Sequence, residues 1–321
     1  MKQFLKDIGV YAIIGLLTII AIHLLSPTLI GNPNYAKKLY HFENSNQNYN
    51  TVFYGNSLIN RQLNPRTFDE YTKKKTKTFN LAWDATPQHE SSFLIENFLE
   101  KNKVDRIVVP ITGAMGIHEV NLHTARVSYF LNKQSLSFAF KYFKGKRDQY
   151  YNHILSYLEK LLCVNRIKNI IVYNKDISKL EKPWREGRGF YALDKEFFGE
   201  NSKKNQAPGY LKEKVKYEKK LKAQKRAMGN SYKIKNRDLV IQEECKRLEK
   251  IGEKYDTDII FLFFPNSPVF KHFEVKKAIY VGDGIDFPEY YTFENRYNRG
   301  HLNSVGAEMF SKRVAEKFNE L

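Results

Sequence analysis

Thr51-Val-Phe-Tyr-Gly-Asn-Ser57 is the stretch on which the fold turns. Four residues of strand character ending at a glycine read as a short buried strand, too brief for a helix. Working outward, the same kind of run recurs at Thr78–Leu81, Arg106–Ile111 and Lys277–Tyr280. It is most pronounced at Asp258-Ile-Ile-Phe-Leu-Phe-Phe264. Helical patterns separate these runs. Asn64-Pro65 supplies a cap and a first position for a helix over Arg66–Lys73. Gln88–Lys101 carries Phe93, Leu94, Phe98 and Leu99 on one side, and Leu239–Tyr255 carries Ile241, Cys245, Leu248 and Ile251. Ala307–Leu321 closes the chain with Phe310, Val314 and Phe318. Strands alternating with helices predict a parallel sheet covered on both faces. Ligands of such sheets bind at the carboxyl ends of the strands, which is where Ser57 falls.

The composition agrees with a packed domain. The chain has 321 residues, 42% of them hydrophobic and 14% aromatic, which excludes a disordered protein. Its two cysteines, Cys163 and Cys245, have no CxxC spacing, which excludes a zinc ribbon or a disulfide-dense framework. A single bridge between them stays open. The net charge of +18 points to acidic partners.

Ile8–Leu25 is an 18-residue run without a formal charge. As a helix it is about 27 Å long, enough for the hydrocarbon core of a bilayer. Lys2 and Lys6 precede it, and Ser26-Pro27 ends it. An uncleaved single-pass anchor is the first expectation, with residues from about 30 onward outside the cytoplasm; a cleaved signal and a buried helix are the alternatives. Residues 31–50 read as a polar stalk. Nucleic acid is not an expected partner, because the anchor separates the domain from it.

Between Gly113 and about Lys235 the alternation is interrupted by an expected helical, basic insertion. It holds amphipathic segments at Leu136–Phe143 and Tyr150–Leu162 and a strand-like Asn169–Tyr173. Residues 201–250 alone contribute +10 to the charge, with 16 basic against 6 acidic residues. Lys212–Arg226 lacks a continuous apolar stripe and reads as a solvated helix or as a contact for anionic polymer or headgroups. His118, Glu119 and His123 invite a metal reading, but histidines five apart diverge on a helix. No metal and no cofactor is expected. Trp184 with Arg185 and Arg188 reads as a surface loop or a sugar-stacking lip.

Serine is a weak nucleophile at neutral pH and needs a base within hydrogen-bond reach. Gly55-Asn56-Ser57 follows the first strand, and His301-Leu302-Asn303 with Gly306 precedes the last helix. Both sit at the same sheet edge. On these blocks the chain resembles the SGNH (GDSL-like) hydrolase superfamily over residues 51–112 and 236–321. It is most similar to membrane-anchored members that act on cell-envelope polymers. The resemblance implies a flavodoxin-like three-layer sandwich, an acyl-serine mechanism, and a place in a bacterial cytoplasmic membrane with the domain outside. It implies an acylated or anionic glycan as substrate and a membrane acyltransferase as partner.

The departures are specific. Asn298 stands where the family has an aspartate, three residues before His301. Glu294, Asp286 or Asp283 from the same loop could supply a carboxylate, Glu294 being nearest. The glycine-rich second block reads Asn80-Leu-Ala-Trp-Asp-Ala-Thr86, and the third block's asparagine is replaced by Thr112. The expected roles are Ser57 as nucleophile, His301 as base and Asn298 or Glu294 as its orienter. Leu58 and Ala85 are expected to give oxyanion N–H groups, Ala85 provided its φ is negative, with Thr112 as a further donor. Asp84 and His89, beside Trp83, read as structural packing or as substrate contacts, and Asn303 is an expected substrate contact. A non-catalytic scaffold for envelope polymer assembly is the competing expectation.

Overall fold

The computed structural model describes residues 1–25, 33–73, 75–111, 127–142, 147–162, 180–218, 236–265, 273–282 and 286–321. The helices run α1 (Lys2–Leu25), α2 (Pro33–Asn44), α3 (Ser57–Gln62), α4 (Pro65–Tyr71) and α5 (Gln88–Leu99). They continue as α6 (Val127–Phe130), α7 (Lys133–Tyr142), α8 (Arg147–Leu161), α9 (Lys182–Glu186) and α10 (Leu193–Phe198). The last are α11 (Pro208–Leu211), α12 (Asn236–Tyr255) and α13 (Ser304–Phe318). The strands are β1 (Thr51–Phe53), β2 (Thr78–Asn80), β3 (Arg106–Ile111), β4 (Asp258–Phe263) and β5 (Ala278–Tyr280).

All five strands form one parallel sheet in the order β2-β1-β3-β4-β5. The protein is therefore an α/β protein, as the alternation predicts. Parallel strands bury both faces, and the side chains of Val52, Phe53, Val108, Ile260 and Phe261 are fully or almost fully enclosed. The predicted stripes of the last two long helices are the buried ones: Ile241, Cys245, Leu248 and Ile251 on α12, Phe310, Val314 and Phe318 on α13. Cys245 is a free thiol, and burial pushes its pKa up.

The described residues cluster into two compact units, Met1–Lys37 with His118–Lys179, and Lys38–Ile117 with Leu180–Leu321. This division departs from the expected boundaries in two places. The segment expected as a stalk contains α2, and Lys38 on it is 2% exposed. The expected insertion does not stay together, because residues from Leu180 onward belong to the unit that contains the sheet. There the Asn80 N–H donates to Arg188 O at 2.9 Å. Gly189, at φ +83, approaches so closely that a Cβ would sit 2.2 Å from Asn80 O. This segment covers the edge strand β2, whose backbone would otherwise be open to another chain.

α1 is long and apolar enough, over Lys2–Ile22, to be a membrane anchor or a signal sequence, and none of that window is buried. The expected strand at Asn169–Tyr173, the His118–His123 group, Thr112, Asp283 and Cys163 lie outside the described residues.

Candidate active site

β1 delivers the chain to the sheet's carboxyl edge, where Gly55 turns it into α3. Gly55 has φ +143, and a Cβ there would lie 2.6 Å from Cγ and Cδ of Pro110 on the neighbouring strand. A side chain at this point meets both backbone strain and a rigid ring. Gly55→Ala is therefore expected to cost about 2 kcal/mol or more, read as a lower urea midpoint at unchanged m-value. The turn is closed by Asn56, whose Oδ1 accepts the Leu58 N–H at 3.0 Å as the N-cap of α3. Ser57 is thus the first residue of the helix. α3 is held from below by Asn80, whose Nδ2 donates to Ile59 O and Leu63 O, both at 3.0 Å.

The other half of the site is the loop before α13. Arg296 is 5% exposed and ties this loop together through the carbonyls of Tyr290, Asn298 and Arg299. His301 O accepts the N–H groups of Tyr297 and Asn298 at 3.0 and 3.3 Å. The buried Gln62 on α3 donates to Gly300 O at 3.3 Å, joining the loop to the helix that begins at Ser57. Asn303 is fully buried, caps α13 by accepting the Gly306 N–H, and donates to Glu294 O at 2.6 Å. It supports the loop instead of facing a substrate.

These supports bring Ser57 Oγ to 3.0 Å from His301 Nε2. Asn298 Oδ1 lies 3.2 Å from His301 Nδ1 and also accepts the N–H groups of Gly300 and His301 at 2.8 and 2.9 Å. Two backbone donors identify that atom as the amide oxygen, since an NH₂ group could not accept them. An acceptor at Nδ1 requires the proton there, which leaves the lone pair of Nε2 facing the serine hydroxyl. The result is a Ser–His–Asn line with the imidazole in the tautomer a general base needs. His301 is half-buried, and burial draws its pKa below the usual 6.5; Asp84 opposes this, while Arg61 and Arg296 add to it.

The remaining expected residues separate. The Glu294 carboxylate bonds Lys214 Nζ at 2.7 Å at the surface, a contact that lowers its pKa, so the group at Nδ1 is Asn298. The Leu58 N–H, expected at an oxyanion, is engaged by its Asn56 cap. Ala85 has φ +56, so the condition of a negative φ is not met; the position keeps the left-handed backbone natural to glycine. Asp84 does not stand free for substrate: Asn60 Nδ2 donates to it at 2.7 Å, and Arg61 Nε and Nη2 at 3.3 and 3.0 Å. Trp184, one expected reading of which was an exposed lip, is 7% exposed.

Trp184 belongs to a buried cationic cluster that sequence reasoning missed. Lys38 Nζ lies 4.6 Å and Arg61 Cζ 4.9 Å from its ring centre. Lys38 donates to Asn60 Oδ1 at 2.6 Å and to Ala82 O at 3.0 Å, and Arg61 also pairs with Glu196. Asn60 and Arg61 are three and four residues after Ser57, on the same side of α3. The only advance sign is the polar run Asn60-Arg61-Gln62, three residues after the serine. Burial and the neighbouring Arg61 draw the Lys38 ammonium well below its usual pKa. The Asp84 carboxylate is lowered against the cost of its own burial, by Arg61 above all. Arg61→Ala leaves Asp84 and Glu196 without their cation. Both carboxylates keep some contact with water, so the expected loss is about 2 kcal/mol, at the low end for such pairs, read by thermal unfolding.

Comparison with family models, curated proteins and solved structures returned no match to this chain.

Proposed function

We propose that the protein is a membrane-anchored serine esterase or O-acyltransferase of SGNH type, acting on an acylated polymer of the cell envelope. The observation that carries this is the Ser57–His301–Asn298 line, with its 3.0 and 3.2 Å separations at the carboxyl edge of a parallel sheet. The strand order is that of the flavodoxin-like sheets to which the SGNH group belongs.

In the first half-reaction Ser57 Oγ attacks the acyl carbonyl and His301 Nε2 takes the hydroxyl proton. The bond to the leaving oxygen breaks, and that oxygen receives the proton from Nε2. In the second, water or a glycan hydroxyl attacks the acyl-serine, gives its proton to Nε2, and Oγ leaves and is reprotonated. Asn298 keeps the imidazole oriented throughout. α1 anchors the domain on the outer side of a bacterial cytoplasmic membrane, and a membrane acyltransferase is the fitting source of acyl groups. A non-catalytic scaffold is the second reading, supported by the amide at position 298 and by the Leu58 N–H being taken up in its cap.

A fluorophosphonate probe separates the two. Attack of Ser57 Oγ on phosphorus expels fluoride and leaves a stable adduct, which peptide mapping is expected to place on Ser57. An unlabelled protein with an intact fold would establish the scaffold reading.

A further inference from the structure

α8 is built inside out. Of its described side chains, the two that are fully buried are polar, His153 at 1% and Ser156 at 0% exposure. Every exposed one from residue 151 to the end of the helix and the residue after it is apolar or aromatic: Tyr151, Leu155, Leu158, Leu161 and Leu162, at 39 to 62%. Tyr151, Leu155, Leu158 and Leu162 follow one another at four, three and four residues, and Leu161 lies three after Leu158, which puts them on one side of the helix. The polar face is turned inward, against α6 and α7. Ser156 Oγ donates to Asn152 O at 2.7 Å, and Lys160 Nζ bonds Leu131 O, so these two polar groups are satisfied within the protein. A surface helix in water has the opposite arrangement.

We infer that this face of α8 lies in the interfacial layer of a phospholipid bilayer, parallel to its plane. The inference rests on the anchor reading of α1 made above. α1 and α8 belong to the same compact unit, and both present unburied apolar surface, α1 over its whole apolar window. One apolar medium then accounts for both. α8 does not itself span: its 15 residues reach only about 22 Å, and it carries Arg147, Asp148, Glu159 and Lys160. A short helix with an apolar face, an aromatic residue and charges on its remaining surface has the form of an interfacial helix. The contact would fix the tilt of the unit against the membrane surface, which a single spanning helix does not determine by itself.

The full-length protein is reconstituted into vesicles of phosphatidylglycerol and phosphatidylethanolamine, with photoreactive benzoylphenylalanine in place of Leu158. A second preparation carries it in place of Leu155, and a third in place of the exposed Glu316 on α13. Irradiation is expected to give phospholipid adducts at positions 155 and 158 and none at 316. Protein that stays with the vesicles after alkaline wash but crosslinks at 155 and 158 only to another protein chain, or not to lipid at all, overturns the proposal and leaves the anchor standing. Protein removed by the wash refutes the anchor, and this inference with it. Equal lipid adducts at all three positions also overturn it, because contact would then not be specific to α8.

Discussion

Ser57→Ala, His301→Ala and the double variant are expected to lose ester turnover to nearly the same extent. On the proposed mechanism the hydroxyl and the imidazole, 3.0 Å apart, act as one unit, and removing either removes the proton-coupled attack. In serine hydrolases each such loss approaches about 10⁶-fold in kcat and the losses do not add. The test compares kcat for p-nitrophenyl acetate in the three variants, after thermal unfolding has shown each to be folded. Independent, multiplying losses would mean that Ser57 and His301 do not share a step. Unchanged turnover in Ser57→Ala would place the activity elsewhere.

Asn298→Asp is expected to raise turnover by about 100-fold. Substituting an amide for the triad carboxylate usually costs about 10⁴-fold, much of it because the imidazole adopts the wrong tautomer. That part of the loss is avoided in this protein, since Gly300 and His301 N–H groups hold the amide oxygen toward Nδ1. What is missing is the negative charge that would stabilise the imidazolium in the transition state. An aspartate accepts the same three N–H groups and supplies that charge. The variant should also alter the pH profile. Burial keeps wild-type His301 below 6.5, so the acid limb of kcat/KM lies below that pH. A carboxylate at Nδ1 favours the protonated ring and moves the limb upward. A profile that does not move would show that residue 298 does not address the imidazole in solution. The depressed pKa acts on stability with a definite sign. Below 6.5 the unfolded chain binds a proton that the native ring still refuses, so stability present at neutral pH falls as pH drops through the native value.

Much of the frame was legible in the chain because it depends on local pattern. The five strands read as short hydrophobic runs, and a parallel sheet then placed Ser57 and His301 at one edge without knowledge of any contact. Asn298 was legible because its role depends on a spacing of three residues. Lys38, Arg61 and Trp184 were not: a lysine on a polar segment and a tryptophan more than 140 residues away carry no mark of being stacked in a buried cluster. Buried polar groups are defined by their partners, and partners are a tertiary property. The second-block alanine failed for a related reason. Ala85 is a left-handed residue, and identity alone suggested that its backbone would be ordinary.

The nucleophile and its base are 244 residues apart, and the connection is made by the last helix and the loop before it. Asn64 N–H donates to Ser311 Oγ, and Thr72 Oγ1 to Asn319 Oδ1, so α13 fastens across the chain's early segments. Contacts of such separation carry a loop-closure cost that must be met before they are rewarded. A growing chain thus has its serine long before it has a base. On the proposed mechanism, a proteolytic cut that frees this loop together with α13 would separate the hydroxyl from its base.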